Sequence, residues 1–154
     1  MQMTLLDIIE AICDTIKYRF PDNPIYIMQM PQGFKRPSFY VNIIGFTDRD
    51  LNLNGIKRNM AIEIVYFANQ NKQNVVDAVQ QLTAFQTILN IFHGQCITVK
   101  DRCPKISKVH SEIRSNEVYL SLNLDYTFTP NTFNDGTIEY ELMQNLITKY
   151  QEVN

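Results

Sequence analysis

Val118-Tyr119-Leu120-Ser121-Leu122-Asn123-Leu124-Asp125-Tyr126-Thr127-Phe128 alternates apolar and polar side chains without a break. Successive side chains of an extended strand point to opposite faces. Val118, Leu120, Leu122, Leu124, Tyr126 and Phe128 therefore share one face, which belongs to a core. Tyr119, Ser121, Asn123, Asp125 and Thr127 share the other, which is wet or lines an interface.

Working outward, Lys57 to Phe67 follows the same rule. Met60, Ile62, Ile64 and Tyr66 fall on one face; Ala61, Glu63, Val65 and Phe67 fall on the other. Asn54-Gly55 just before it is a hairpin signal, and Asp48 to Gly55 reads as a polar connection. The strand it connects to is Ser38 to Phe46, whose Phe39, Val41 and Ile43 alternate against Tyr40, Asn42 and Ile44, so that both faces look largely covered. Ile25 to Met30 reads as a short apolar strand. Ile97 to Lys100 and Ile106 to Ile113 read as two more around Cys103-Pro104.

Three segments have helical spacing. Thr4, with Asp7 three residues on, forms a capping-box variant in front of Leu5, Ile8, Ile9, Ile12, Cys13, Ile16 and Phe20. Pro21 and Pro24 end that helix. Val75 to Phe92 carries a stripe of Val75, Val79, Leu82, Phe85, Ile88, Leu89 and Phe92, with Gly94 expected at C′ in a positive-φ conformation. Beyond Pro130 and Asn134-Asp135-Gly136, Ile138 to Tyr150 spaces Ile138, Leu142, Leu146 and Tyr150 four apart. The order is α-β-β-β-α-β-β-β with a C-terminal helix. Runs of strands without strict βα alternation predict an α+β fold, a mostly antiparallel sheet with helices packed on one face. The reading divides the chain into a domain over 1–130 and a helical extension over 131–154.

The 154 residues are 45% hydrophobic, with nine Phe and eight Tyr, enough for a core without metal or disulfide. Only 19% are charged and the net charge is −2, which suits a surface that docks on neighbours. Cys13 falls on the apolar face of the first helix as a packing thiol. Cys96 and Cys103 are within reach of each other across a turn, yet an odd count with irregular spacing points to a reducing compartment. The opening Met-Gln-Met-Thr-Leu-Leu-Asp lacks the basic start of a signal peptide. No apolar run approaches the ~20 residues of a membrane span, and no membrane partner is expected.

Motifs for chemistry do not appear. His93 sits by the expected helix end and His110 on the polar side of a strand between Lys108 and Glu112, and neither has ligands at metal spacing. There is no GxSxG, phosphate loop or HExxH. Asp48 and Asp50 flank Arg49 in what reads as a solvated turn. The expectation is no enzyme, no catalytic residue, no metal and no cofactor. Lys35-Arg36, Lys57-Arg58 and the group Lys100, Arg102, Lys105 and Lys108 are too short and dispersed for specific nucleic-acid binding. They read as an ordinary solvated edge; the alternative is local, a ring of such subunits that presents one cluster to a lumen through which DNA passes non-specifically.

One stretch has neither strand nor helix spacing: Met30-Pro31-Gln32-Gly33-Phe34-Lys35-Arg36-Pro37-Ser38-Phe39-Tyr40-Val41. Gly33 supplies a positive φ, and Pro31 and Pro37 stiffen the flanks. Such a loop is either a structural turn or a docking element that exposes Phe34 beside Lys35 and Arg36. Taken in order, the first helix, Phe20-Pro21-Asp22-Asn23-Pro24-Ile25-Tyr26, this Gln-Gly-Phe-Lys-x-Pro-x-Phe loop, the strand ending Tyr66-Phe67 and the second helix resemble the tail-terminator proteins of long-tailed phages and phage-like contractile particles.

The resemblance implies an α+β subunit that assembles into a ring, usually six-fold, at the head-proximal end of the tail tube. Such a ring stops tube growth, can engage the last sheath ring and offers a surface to the neck or head. It implies the tail tube protein as partner, sheath and neck or head-connector proteins as further ones, and a place in the virion or tailocin tail after assembly in the host cytoplasm. Gln32, Gly33, Phe34, Lys35 and Pro37 match the family's loop, and with Arg36 they are the expected interface residues. Ile138, Leu142, Leu146 and Tyr150 are expected to pack on a neighbouring subunit or on sheath. The rival readings are another neck or head-completion connector and a small-ligand-binding α+β domain outside any phage.

Overall fold

The computed structural model describes residues 3–129. The expected helix over 138–150 lies outside them. Its elements are α1 (Leu5–Arg19), β1 (Ile25–Ile27), β2 (Ser38–Asn52), β3 (Gly55–Phe67), α2 (Ala78–Ile91), β4 (Lys105–Arg114) and β5 (Glu117–Phe128). The strands form one sheet in the order β1-β2-β3-β5-β4, antiparallel except for β1 against β2. Both helices lie on one face, so the fold is α+β as the runs of strands predict.

The core is the inner face of the sheet closed by the helices. Phe39, Val41, Met60, Ile62, Ile64, Tyr66, Val118, Leu120, Leu122 and Leu124 are buried beneath Ile8, Ile12, Ile16, Ala84, Ile88 and Phe92. At the C-terminal end of α1, Phe20 packs on Phe39 and Tyr66 with ring centroids 4.9 and 6.2 Å apart. Each of these large side chains contributes roughly 1.5–3 kcal/mol by leaving water.

The start of α1 is built as the sequence predicts. Thr4 Oγ1 accepts from the Asp7 backbone N–H, and the Asp7 carboxylate accepts from the Thr4 N–H at 2.8 Å. Lys100 Nζ lies 2.9 Å from the same carboxylate. These contacts, the Thr4 backbone N–H first and Lys100 next, hold Asp7 down at about 2. Its stabilising contribution is present above its ordinary value of 3.8 and is lost as pH falls through about 2. Carboxyl titration by NMR should place Asp7 near 2. Lys100→Ala should raise it only part of the way, because the Thr4 bonds remain; a wild-type midpoint near 3.8 would remove this cap.

Five local readings are corrected. β2 does not stop at Phe46 but continues to Asn52, and the predicted connection over Asp48–Gly55 is mostly strand, with the reversal at Leu53-Asn54. The Ile97–Lys100 segment is not a strand; isolated bridges tie Cys96 to Lys105 and Val99 to Arg102. Cys96 and Cys103 are joined in a disulfide with Cα atoms 5.5 Å apart, which the odd count had argued against, while Cys13 is free and buried. Finally, α2 turns Gln81, Ala84 and Ile88 inward and leaves Val75, Val79 and Leu82 exposed, so the predicted stripe is rotated. The helix ends at its C-cap Phe92, and Gly94 does not take a positive φ; among the described glycines only Gly33 does, at 70°.

Candidate assembly surfaces

The Gln-Gly-Phe-Lys-Arg-Pro loop has a topological task. Because β1 and β2 are parallel neighbours, the chain must return from one end of the sheet to the other between them. Residues 28–37 make that return, and β1 is short enough for such a brief connection. Phe34 packs between Tyr26 and Phe67, on the face away from the helices, with centroids 6.4 and 4.9 Å away. The Lys35 backbone N–H donates to the Tyr26 hydroxyl at 3.2 Å.

Arg36 pins the end of the loop. Its guanidinium lies 5.2 Å from the centre of the Phe34 ring and 5.4 Å from that of Phe67. Nη1 donates to the Ala68 carbonyl and Nη2 to Glu117 Oε1, both at 2.9 Å. Glu117 is buried, its Oε2 finds no donor among the described residues, and burial pushes its carboxyl up against the opposing pull of Arg36. The loop thus brings Phe34 and Arg36 into the molecule and leaves Gln32, Gly33 and Lys35 exposed. Pro37 is half-buried, joined to Arg36 by a cis peptide, and shares a hollow with Phe20, Tyr66 and Thr83. Ile138, Leu142, Leu146 and Tyr150 lie outside the described residues.

The sequence did not single out the far end of the β2–β3 hairpin. Beyond Met60 the sheet runs past the helices, and its inner face there carries a clamp instead of a core. Arg58 donates from Nε and Nη2 to the two Asp48 carboxylate oxygens at 2.7 and 2.8 Å, and lies 5.1 and 4.5 Å from the Phe46 and Phe128 ring centres. The Arg58 hydrogen bonds hold the Asp48 carboxyl below its usual range. On the opposite face Asn123 Nδ2 donates to Asn59 Oδ1 at 2.8 Å, Asn59 Nδ2 donates to Asp125, and Lys57 lies 3.6 Å from Asp125. β2, β3 and β5 are thereby tied together beyond the core. Past these ties the tip presents Leu51 and Leu53, 51% and 87% exposed. Two leucines outward on a braced arm are a contact surface without a partner among the described residues.

The basic groups are only partly neutralised, since Lys35, Lys105 and Lys108 are exposed and in no ion pair among the described residues. Arg36, Lys57, Arg58 and Lys100 are in ion pairs, and Arg102 donates to the Thr127 carbonyl. His93 and His110 are exposed, and no group of three or more His, Cys, Asp or Glu poised for a metal occurs among the described residues. A hollow of about 430 Å³ between α1 and the Cys96–Cys103 segment is lined by Asp7, Glu10, Asp14 and Lys100. Two of those, Asp7 and Lys100, are already committed to each other. No described helix is long and apolar enough to cross a membrane.

No curated protein matches the sequence. A family model described as Phage tail terminator protein matches residues 7–136, from the first turns of α1 to eight residues past β5. That match takes in the crossover loop, the braced hairpin and both helices, and on it the chain belongs to the phage tail terminator protein family.

Proposed function

We propose that this protein forms a closed ring, six-fold by resemblance, on the head-proximal end of a tail tube, ends tube growth there and presents the joint to the neck and head. As a tail terminator it is a structural protein of phage tails. The observation that carries the ring reading is the braced hairpin with Leu51 and Leu53 at its tip. A ring of identical subunits needs a heterologous contact, in which one patch meets a different patch on the next copy. An arm held rigid before it docks loses little freedom on docking, so its apolar tip converts to affinity efficiently. Many copies engage the tube together, so each contact need be only weak. Growth stops because one face of the ring copies the tube's contact surface and the other does not. Sheath and connector proteins meet the outer rim and the far face, and DNA passes the lumen without sequence readout. Assembly takes place in the host cytoplasm.

Negative-stain imaging of the cognate tubes assembled with and without the protein tests this. The expected result is tubes of uniform length ending in a ring only when the protein is present. Unchanged tubes with the protein bound to a neck component would replace the proposal with the connector reading. Failure to associate with any particle component would return the small-ligand reading.

A further inference from the structure

Residues 95–106 make a small hairpin of their own between α2 and β4. The Ile97 N–H donates to the Pro104 carbonyl at 3.1 Å and the Ile106 N–H to the Gln95 carbonyl at 2.9 Å, while Val99 and Arg102 exchange backbone bonds at the tip. One side of this hairpin belongs to the core, with Ile97, Val99 and Pro104 buried. The other side carries the Cys96–Cys103 disulfide, and both cysteines are exposed. The tip is anchored twice, by Lys100 on the Asp7 carboxylate of α1 and by Arg102 on the Thr127 carbonyl of β5. Buried side chains, backbone bonds and anchors therefore hold the hairpin without help from the sulfur bridge. That bridge spans a sequence separation of only 7, and the shorter the closed loop, the less a disulfide stabilises a fold. Linkage is reciprocal: a fold that gains little from the bond protects it equally little from reductants. Exposure makes the same bond open to exchange.

We propose that Cys96 and Cys103 are a reversible redox staple, opened by small thiols and closed by exchange with an anionic low-molecular-weight disulfide of the glutathione type. Cys103, unlike Cys96, lines a hollow of about 460 Å³, together with Asp101, Arg102, Lys105 and Asp125. Asp125 is engaged by Lys57, which leaves Arg102 and Lys105 against Asp101. That surplus of positive charge beside the sulfur draws a disulfide that carries carboxylates. In closure the Cys103 thiolate attacks one sulfur of the small disulfide and expels the first small thiol. The Cys96 thiolate then attacks the Cys103 sulfur of the mixed disulfide and expels the second. The protein dithiol gives up two electrons, the small disulfide takes them, and the two cysteine protons end on the two released thiols. Opening runs the same steps backward. A chain made in a reducing cytoplasm thus carries the open dithiol, and the staple closes once the particle leaves the cell. This timing rests on the cytoplasmic assembly proposed above; the exchange itself does not.

The test equilibrates the full chain with mixtures of reduced and oxidised glutathione, alkylates free thiols under native conditions and counts them by mass. The expected result is that Cys96 and Cys103 become labelled together as reduced glutathione rises, while Cys13, which is buried, stays unlabelled and circular dichroism stays native. Returning the sample to oxidised glutathione should reverse the labelling. The reduced form, and equally Cys96→Ser combined with Cys103→Ser, should melt about 5–10 °C lower. A pair that stays oxidised in excess reduced glutathione until the chain unfolds would overturn the proposal. So would a pair that never closes in oxidised glutathione. Lys105→Glu should slow closure by oxidised glutathione about fivefold and leave closure by uncharged hydroxyethyl disulfide at the wild-type rate. Unchanged closure by both reagents would remove the hollow as the place where the disulfide docks. The titration reads the purified subunit, so its failure leaves the tube-capping reading standing, and failure to cap tubes leaves the exchange standing.

Discussion

Arg36→Ala is expected to lower the melting temperature by about 10 °C at neutral pH, and by less as the solution is acidified. Truncating the side chain removes a donor from the Ala68 carbonyl, a cation from two aromatic faces and the only cation beside Glu117 in the described residues. Removing one member of a buried ion pair costs about 3–5 kcal/mol because the other charge is left buried. Arg36 keeps a fifth of its side chain exposed, so the lower end, about 3 kcal/mol, applies. At about 2–4 °C per kcal/mol for a chain of this size, that is about 10 °C. The pH dependence has a definite sign. The folded-state pKa of Glu117 is already raised by burial, and losing Arg36 raises it further. A carboxyl with a raised folded pKa favours folding fully below its unfolded value and loses that contribution as pH rises through the folded one. The variant should therefore recover toward wild type between pH 7 and pH 5. Arg36→Lys should fall between the two, since it keeps charge but loses the fork and the stacking. Lys35→Glu, one residue away and exposed, should melt like wild type. A wild-type melting curve for Arg36→Ala at both pH values would mean that the loop is not anchored in this way.

The second large effect is on assembly alone. Leu51→Asp combined with Leu53→Asp should abolish ring formation and tube termination, while the melting temperature stays within about 4 °C of wild type. Both side chains already stand in water, and surface substitutions away from packed features change stability by less than about 0.5 kcal/mol each. In a ring, each buried aspartate would be desolvated without a partner at every interface around the circle. The measurement is sedimentation of the purified variant together with imaging of tubes grown in its presence. Rings and uniform tubes made by the double variant would remove the hairpin tip from the interface and return attention to Gln32 and Lys35, the exposed residues of the crossover loop.

How much of this was legible depended on whether a residue's surroundings are local. The Thr4–Asp7 cap involves neighbours three apart, and the sequence shows it. β5 shows itself because one face is buried along nearly all its length, and β3 because one face is buried from Met60 to Tyr66. The outer half of β2 hid because Asp48 to Asn52 extends past the helices, where neither face is buried and no alternation is selected. The orientation of α2 was misread because apolar residues stand on most of its circumference, so Val79 and Leu82 compete with Ala84 and Ile88 for the core face. Phe34 and Arg36 looked like outward anchors because the parallel pairing of β1 with β2, which requires a crossover above the sheet, cannot be seen in the loop itself. The partner of Arg36, Glu117, is 81 residues away.

The β2–β3 hairpin is held unequally along its length. Its inner half is sandwiched in the core, whereas its outer half is held by ladder hydrogen bonds, the Arg58 clamp and the asparagine ties. Segments with few buried apolar contacts open at a fraction of the free energy of global unfolding. Amide hydrogens from about Asp48 to Ile56 should therefore exchange through local opening, and those of Ile62 to Tyr66 only through whole-molecule unfolding. The described part of the subunit is thus two cooperative units in one sheet: a body closed by the two helices, and an arm whose slowest exchange should be seen once a neighbour closes over it. Exchange at the tip becomes a clock for assembly that can be read without disturbing the fold.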